Sequence, residues 1–186
     1  TYFFISPKKK VQRIMQKLGL QVTSYTRKSR RYNSYKGNVG RIAPNRINRR
    51  FHTKIAHQKI TTDTTEFKYY EIDGKGRITI KKLYLDPFLD MFNGEILSYS
   101  ISKTPSAASI LSAQKKAIEV TSDCQYRRTF HSDRGWAYQM KAYSQKLKES
   151  RIFQSMSRKG NCHDNSVMEN FFGILKQEIY LSLIHI

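Results

Sequence analysis

Three carboxylates occupy positions from which they could act together on one substrate. Asp63 lies in a threonine-rich segment with strand-like composition, TTDTTEF, and Asp133 ends a second strand-like segment, in HSDRG. Glu169 lies in DNSVMENFFGILKQEIY, whose apolar residues recur at the three- and four-residue steps of an amphipathic helix. If the two strands are neighbours and the helix crosses them, the three carboxylates converge.

Such a cluster would bind hard cations. Neighbouring carboxylates raise one another's pKa unless a cation compensates their charge, and carboxylate oxygens are the ligands that Mg²⁺ prefers in proteins. Two ions roughly 3.5–4 Å apart can activate an attacking oxygen and stabilise a leaving one. We therefore predict that Asp63, Asp133 and Glu169 bind two Mg²⁺ ions, with Mn²⁺ as a substitute, and that the site cuts and joins phosphodiesters.

The placement of Glu169 on its helix leaves a simpler alternative open. At 100° per residue, Asn165, Glu169, Gly173 and Lys176 share a narrow stripe away from the apolar face. On a helix considered alone, such a stripe is a solvated surface. The two upstream aspartates favour the other interpretation, in which the stripe faces a metal site.

The overall charge indicates a polyanionic partner. The chain carries 34 Lys and Arg against 14 Asp and Glu, a net charge of +20, which favours nucleic acid first and an anionic membrane second. No apolar run approaches the ~20 residues that span a bilayer, so we expect no membrane segment. The two cysteines, Cys124 and Cys162, form no CxxC pair, and we therefore expect a reducing cytoplasm.

The order of the segments predicts an α/β fold, in which an antiparallel meander opens a mixed five-stranded sheet flanked by helices. The predicted strands are 57–71, the runs on either side of Asn93-Gly94, 126–133 and 151–156, and the predicted helices are 106–121, 140–150 and 166–180. A further short helix is predicted near the start of the chain, ending at Gly19, from the spacing of Val11, Ile14, Met15 and Leu18. A small helical and basic arm therefore precedes the core.

The motifs narrow the chemistry. Thirty-five residues separate Asp133 from Glu169, and Lys176 follows Glu169 by seven positions. This pattern resembles the D,D(35)E–K/R motif of retroviral integrases and insertion-sequence transposases. The stretches TDTTEF, KLYLDPFLDMFNGEI, HSDRGWAYQ and SMSRKGNCHDNSVMENFFGILKQE are similar to the OrfB-type transposases of the bacterial IS-three family, over about residues 8 to 180.

The resemblance implies a ribonuclease-H-like core that depends on Mg²⁺ and that cleaves and transfers DNA strands without a covalent protein–DNA intermediate. The partners it implies are transposon ends and target DNA, further copies of the chain on that DNA, and the OrfA product of the same element. The expected location is the bacterial cytoplasm, in association with the nucleoid. Residues 1–24 are then the end of a helix-turn-helix segment, 25–56 a basic DNA-contacting linker and 57–180 the catalytic core.

Several further residues receive a predicted role. The candidate DNA contacts are Lys176, Arg158, Lys159, Arg30, Arg31, Arg49 and Arg50. Asn165 is predicted to cap the last helix or to orient Glu169, and Trp136 to pack in the core. His131 has two open interpretations, a buried hydrogen-bonded histidine or a contact to water at the metal site. The remaining aspartates are interpreted as turn, strand-edge and helix-start residues: Asp73, Asp86, Asp90 and Asp164.

Two alternatives to an active transposase remain open at this point. They are a catalytically inactive, truncated DNA-binding remnant and a ribonuclease-H-like nuclease that uses the same acids. We also expect residues 181–186, LSLIHI, to be a non-native tail, because the family pattern stops at Tyr180 and these six residues match a reading frame of a transposon-end adaptor used in sequencing libraries. The chain is then expected to be a fragment.

Overall fold

The computed structural model describes residues 8–20, 40–72 and 74–182, and the chain divides into two compact units, Thr1–Asn33 and Ser34–Ile186. In the first unit, the helix α1 spans Lys8–Lys17. The chain leaves this helix at Gly19, which has a φ of 66°, a conformation that glycine adopts without strain. The helix predicted near the start of the chain is therefore confirmed.

The second unit contains a mixed sheet with helices on both faces. Its strands are β1 (Lys59–Thr62), β2 (Thr65–Ile72), β3 (Ile78–Asp90), β4 (Ile96–Ser102), β5 (Thr129–Ser132) and β6 (Phe153–Met156). Its helices are α2 (Ala107–Val120), α3 (Trp136–Gln139), α4 (Lys141–Glu149) and α5 (Ser166–Ser182), and short 3-10 turns span Thr121–Asp123 and Cys162–Asn165. No helix among the described residues is long and apolar enough to cross a membrane.

The sheet confirms the α/β prediction and corrects its strand count. Strands β1, β5 and β6 are parallel neighbours, while β3 runs antiparallel to β1, β2 and β4. The sheet has six strands rather than five, because the strand predicted over 57–71 is interrupted. Thr62 pairs with Phe88 and Thr65 with Leu85, so β1 and β2 keep one register against β3.

The interruption falls at the first candidate acid. The shared register places Asp63 opposite Pro87, and proline has no backbone N–H to donate to a ladder. The backbone of Asp63 and Thr64 therefore leaves regular pairing in the middle of an otherwise continuous strand. The cause lies on the partner strand, which explains why the pattern of 57–71 alone predicts a single strand.

The core has two parts, one on each face of the sheet. Phe88 belongs to the larger cluster, which packs under α2 and α4, and its neighbour Leu89 belongs to a smaller cluster with Met168 and Phe172 of α5. Because successive residues of a strand point to opposite faces, α5 covers the face opposite to α2. On α5, Ile174 is 53% exposed, so the buried face of this helix is narrower than its sequence pattern predicts.

The lone tryptophan does not pack in the core. Trp136 is 39% exposed at the start of α3, whereas the next three residues of this helix are buried. The prediction of core packing was wrong because it came from residue type alone. In a helix of four residues, only some side chains can face the sheet.

Part of the predicted basic linker lies against the core. Residues 21–39 fall outside the described residues, but the segment from residue 40 packs beside β6. Ile47 is 2% exposed, the backbone N–H of Arg46 donates to Ser155 Oγ over 2.9 Å, and that of Ala43 lies 3.4 Å from Met156 Sδ. This segment therefore covers the edge strand of the sheet.

Candidate active site

Asp63 and Asp133 lie at the ends of two adjacent strands. Strands β1 and β5 are parallel, and Thr61 pairs with His131, so the same register places Asp63 beside Asp133 just beyond the last paired residues. Burial raises the pKa of Asp63 to about 7, and the negative charge of Asp133 adds to this increase. Burial also raises the pKa of Asp133. The two predicted acids therefore form an electrostatically coupled pair.

Local hydrogen bonds hold both carboxylates in place. Oδ1 of Asp63 accepts the backbone N–H of Thr64 over 2.8 Å, and Oδ1 of Asp133 accepts that of Gly135 over 2.7 Å. These bonds favour the ionised forms, but burial outweighs them and the pKa of each group is still raised. A side chain at Gly135 would lie 2.9 Å from Asp133 Oδ1, so only glycine leaves this turn undistorted.

Glu169 lies near this pair without closing a group of three. It is exposed in the first turn of α5, and its charge makes a smaller contribution to the raised pKa of Asp63. Within residues 8–20, 40–72 and 74–182, no three His, Cys, Asp or Glu side chains come together as a group that could hold a metal ion. The structure thus brings Asp63 and Asp133 together and leaves Glu169 beside them.

The donor set nevertheless fits a divalent cation. The carboxylates of Asp63 and Asp133 are desolvated and have raised pKa values, and no cation among the described residues compensates their charge. Carboxylate oxygens in this state are suitable ligands for a hard ion such as Mg²⁺. Asn165, which directly precedes α5 and lies four residues before Glu169, contacts Asp63.

Asn165 does something other than predicted. Its Nδ2 donates to Asp63 Oδ2 over 3.3 Å, and its Oδ1 accepts the hydroxyl of Thr61 over 2.8 Å. The side chain therefore neither caps α5 nor contacts Glu169. It connects the start of the last helix to the strand that carries Asp63, a long-range contact that no local pattern indicates.

Tyr138 is a further residue of the site that sequence reasoning missed. This residue is buried in α3, and its hydroxyl lies 3.4 Å from Thr64 Oγ1. Burial raises the pKa of Tyr138 well above its usual value, and the charges of Asp63 and Asp133 add to that increase. A neutral phenol therefore lies close to the acid pair. The one available clue was the position of Tyr138 five residues after Asp133.

His131 is a buried structural histidine, one of the two interpretations left open. Its Nδ1 lies 2.8 Å from Ser155 Oγ, and its Nε2 lies 2.9 Å from the carbonyl oxygen of Asp164. Because a carbonyl only accepts, Nε2 carries the proton. Burial lowers the pKa of His131, so a neutral ring connects β5 to the turn before α5.

Asp164, interpreted as a helix-start residue, is the centre of an ion-pair cluster. Its side chain has no exposed surface and accepts the backbone N–H, Nε and Nη2 of Arg158 over 2.8–3.0 Å. Arg49 Nε and Asn45 Nδ2 complete the cluster over 3.0 and 2.9 Å. These donors, those of Arg158 above all, hold the pKa of Asp164 well below its usual range. The cluster fastens the segment before β1 to the turn before α5.

The predicted DNA contacts fall into different environments. Arg49 and Arg158 are paired with Asp164, whereas the side chains of Arg50 and Lys159 are exposed. Lys176 lies over β2, with Nζ 5.7 Å from the centroid of the Phe67 ring. The other two candidates, Arg30 and Arg31, lie outside the described residues.

Comparison with known proteins decides the family. The family model described as Integrase core domain matches residues 54–162. An uncharacterized transposase-like protein of Haemophilus influenzae is 46% identical over 172 residues, which cover 92% of this chain and 73% of that protein. InsK of Escherichia coli K12, named as a transposase for the insertion sequence element IS150, is 42% identical over 172 residues, with 92% and 56% covered. This chain belongs to the IS-three family of insertion-sequence transposases.

The fold of this transposase chain is that of retroviral integrase cores. The HTLV-2 integrase catalytic core domain, solved in complex with magnesium, is similar with a TM-score of 0.52 and 20% sequence identity, covering 70% of this chain and 75% of that one. This likeness confirms the predicted ribonuclease-H-like architecture. The transposase chain spans about three quarters of the length of the Haemophilus relative and about half of InsK.

Proposed function

We propose that this chain cleaves DNA strands at the ends of its insertion sequence and joins them to target DNA. The observation that carries the proposal is the coupled pair of Asp63 and Asp133 at the ends of adjacent parallel strands, with the charge of Glu169 acting on Asp63. An acid pair of this kind, in an integrase core, matches phosphodiester chemistry. The abundance of basic residues supplies the affinity for DNA.

We further propose that Asp63, Asp133 and Glu169 hold Mg²⁺, or Mn²⁺ in its place, as two ions. Bound ions of this kind supply Lewis-acid polarisation of phosphodiester oxygens. The residues of the chain contribute the negative charge, and the hydrogen bonds from Thr64, Gly135 and Asn165 orient it. With a pKa of about 7, Asp63 is partly protonated near neutral pH until a nearby positive charge lowers that pKa. The magnesium in the HTLV-2 core supports this assignment by analogy of fold.

The partners follow from the same proposal. They are the ends of the element and its target DNA, further copies of the chain assembled on that DNA, and the OrfA product of the element. Arg50, Lys159 and Lys176 are the described candidates for phosphate contacts that have no ion pair within the described residues, and Arg30 and Arg31 complete the set. The proposed location is the bacterial cytoplasm, with the chain associated with the nucleoid.

Metal binding can be tested without relying on catalysis. Mg²⁺ that binds only the folded chain raises Tm, by an amount equivalent to about 2.7 kcal/mol at a hundredfold excess over Kd. Asp133→Asn and Glu169→Gln should each remove most of this increase. Glu178→Gln, an exposed glutamate on the same helix, is the matched control and should preserve it. An equal effect of Mg²⁺ on all four proteins would contradict the proposed ligands.

Strand cleavage and transfer are tested with labelled duplexes that carry the terminal sequences of the encoding element. The wild-type chain should nick and transfer these strands with Mg²⁺ or Mn²⁺, and Asp133→Asn should not, while its DNA affinity stays within about twofold of wild type, because the variant removes no phosphate contact. Cleavage by Asp133→Asn at the wild-type rate would overturn the proposal.

A further inference from the structure

A basic cleft lies beside the start of β6, between α4 and the segment before β1. It has a volume of about 960 Å³ and is formed by the segment from Gly40 to Arg46, by α4 and by the start of β6. The positively charged residues that line it are Arg41, Arg46, Arg127, Lys141, Lys148 and Arg151. The single acidic residue in its lining is Glu149, which accepts a hydrogen bond from Gln145.

No ion pair among the described residues neutralises the cations of this cleft. The ion pairs among the described residues engage other cations, such as Lys82 with Glu66 and Lys115 with Glu119, and none involves a cation of the cleft. Two of the cleft guanidiniums rest on an aromatic ring instead. Arg46 and Arg127 lie 4.2 and 3.8 Å from the centroid of the Phe153 ring, a contact that positions a guanidinium without cancelling its charge. Planar guanidiniums held in this way match the geometry of phosphate oxygens.

The position of the cleft relative to the acids sets a length scale. Arg127 lies just before β5, and Asp133 lies just after it. An extended chain of this length spans at most about 20 Å. Duplex DNA advances about 3.4 Å per base pair, so Arg127 lies at most about six base pairs from Asp133 along a duplex.

We propose that this cleft binds the phosphate backbone of duplex DNA, within about six base pairs of the phosphodiester that occupies the acid pair. The proposal rests on the proposed function, because it takes the DNA substrate to be the occupant. The contacts are to the backbone rather than to base edges, since cations on several elements surround a concave surface. The cleft therefore fixes the position of the duplex and sets the minimum length of flanking DNA, without reading its sequence.

The test compares two pairs of substitutions in the full chain. Arg127→Gln with Lys148→Gln removes two cleft charges, and Lys115→Gln with Lys116→Gln removes two exposed charges from α2. Affinity for a duplex that carries the element end is measured by fluorescence anisotropy in EDTA over a range of salt concentrations. Each lost phosphate contact should reduce the slope of log K against log salt by about 0.9. The cleft variant should therefore lose about 1.8 in slope, and the α2 variant should lose much less.

Duplex length provides the decisive comparison. Shortening the DNA to three base pairs beyond the reacting position should reduce the salt slope of the wild type and of the α2 variant more than that of the cleft variant, which has already lost two of the cleft cations. Arg127→Lys with Lys148→Arg keeps both charges and should retain most of the wild-type slope. Equal slopes for the cleft and α2 variants, or equal responses of both to DNA length, would overturn the proposal. Polyglutamate should displace the labelled duplex much less well than unlabelled duplex does. Equal displacement by the two competitors would also overturn the proposal, since the cleft would then bind anions in general.

Failure of this inference is distinct from failure of the proposed function. The binding measurements are made in EDTA and require no cleavage, so the contrast between the two variants can hold even if the chain cleaves no DNA. Conversely, the cleft variant could cleave DNA in a metal-dependent way while neither variant depends on the length of flanking DNA. That result would support the proposed function and show that the cleft has no part in it.

Discussion

Asn165 donates a hydrogen bond from its side-chain amide to the carboxylate of Asp63, 102 positions earlier in the chain. The same amide accepts the buried hydroxyl of Thr61. One uncharged side chain therefore fixes the start of α5 against the strand that carries the first acid. Glu169 lies about one helical turn beyond this contact.

Replacing this amide with an acid should make stability depend strongly on pH. Asn165→Asp brings a new carboxylate against Asp63 in place of a donor, so at pH 8 we expect the free energy of unfolding to fall by about 1–3 kcal/mol. At pH 5 the loss should be much smaller, because raised pKa values leave these groups largely protonated. Thermal unfolding at the two pH values measures this. Asn170→Asp, at an exposed position of α5, is the control, and an equal loss at both pH values would contradict the prediction.

The acid pair itself should destabilise the metal-free chain at high pH. Asp titrates near 3.9 in unfolded chains, and the pKa of Asp63 in the folded chain is about 7. Folding therefore takes up protons in this window, and this contribution to the free energy of unfolding falls as the pH rises through it. Asp133→Asn keeps an oxygen for the Gly135 N–H and removes one charge. In EDTA at pH 8 it should raise Tm by roughly 2–8 °C, equivalent to about 1–2 kcal/mol.

The increase should shrink towards zero at pH 5, where protonation has already relieved the repulsion. Asp123→Asn serves as the control, because the hydrogen bond from His57 lowers the pKa of that exposed carboxyl. Its removal should leave Tm unchanged or slightly reduced at pH 8. A Tm for Asp133→Asn that stays below that of the wild type in EDTA at pH 8 would show that the pair is not under electrostatic strain.

Two glycines offer opposite predictions for the same substitution. A Cβ at Gly135 would lie 2.9 Å from Asp133 Oδ1 and 3.3 Å from the Tyr138 ring, whereas a Cβ at Gly173 meets nothing within 4 Å. Gly135→Ala should displace the Asp133 carboxylate and thereby weaken Mg²⁺ binding. The apparent Kd for Mg²⁺, obtained from the rise in Tm, should increase at least tenfold. Gly173→Ala should leave that Kd unchanged and stabilise α5 by about 0.5–1 kcal/mol. Comparable Mg²⁺ titrations for both variants would contradict this account of the turn.

Two sets of basic residues near Asp164 should differ in their effects. We expect Arg49 and Arg158 to contribute to stability, and their sequence neighbours Arg50 and Lys159 to contribute to DNA binding. Arg49 and Arg158 pair with its unexposed carboxylate, but both side chains are about half exposed, so we expect Arg49→Gln and Arg158→Gln each to lower the urea midpoint of unfolding only modestly. Arg50→Gln and Lys159→Gln should leave Tm within about 1 °C and reduce the salt slope of DNA binding by about 0.9 each. Urea unfolding measures the effect on stability, and fluorescence anisotropy measures the effect on DNA binding. If Arg49→Gln and Arg158→Gln instead reduced the salt slope and left stability unchanged, Asp164 would not pair with these two guanidiniums in solution.

The parts of this structure that follow from local pattern were predictable from the sequence. The helical spacing of Met168 and Phe172 predicted α5, and Asn93-Gly94 predicted the turn between β3 and β4. The acid pair was predictable in part, because strand-like composition surrounds Asp63 and Asp133 ends a strand-like segment. The break after β1 was not, because its cause, Pro87, lies on another strand. The roles of Asn165, Tyr138 and Asp164 likewise depend on contacts between residues far apart in sequence.

The cluster around Asp164 has a consequence for any shortened version of this protein. The match to the integrase core begins at residue 54, but Asn45 and Arg49, which bind Asp164, and the buried Ile47 come before it. A protein shortened to begin at residue 54, with its later residues kept, would uncover the edge of β6 and leave the Asp164 side chain with Arg158 as its remaining partner among the described residues. Such trimming is therefore expected to loosen the attachment of α5, in addition to any DNA contact that it removes. We expect a stably folded shortened form to begin near residue 40, about a dozen residues before the start of the matched region.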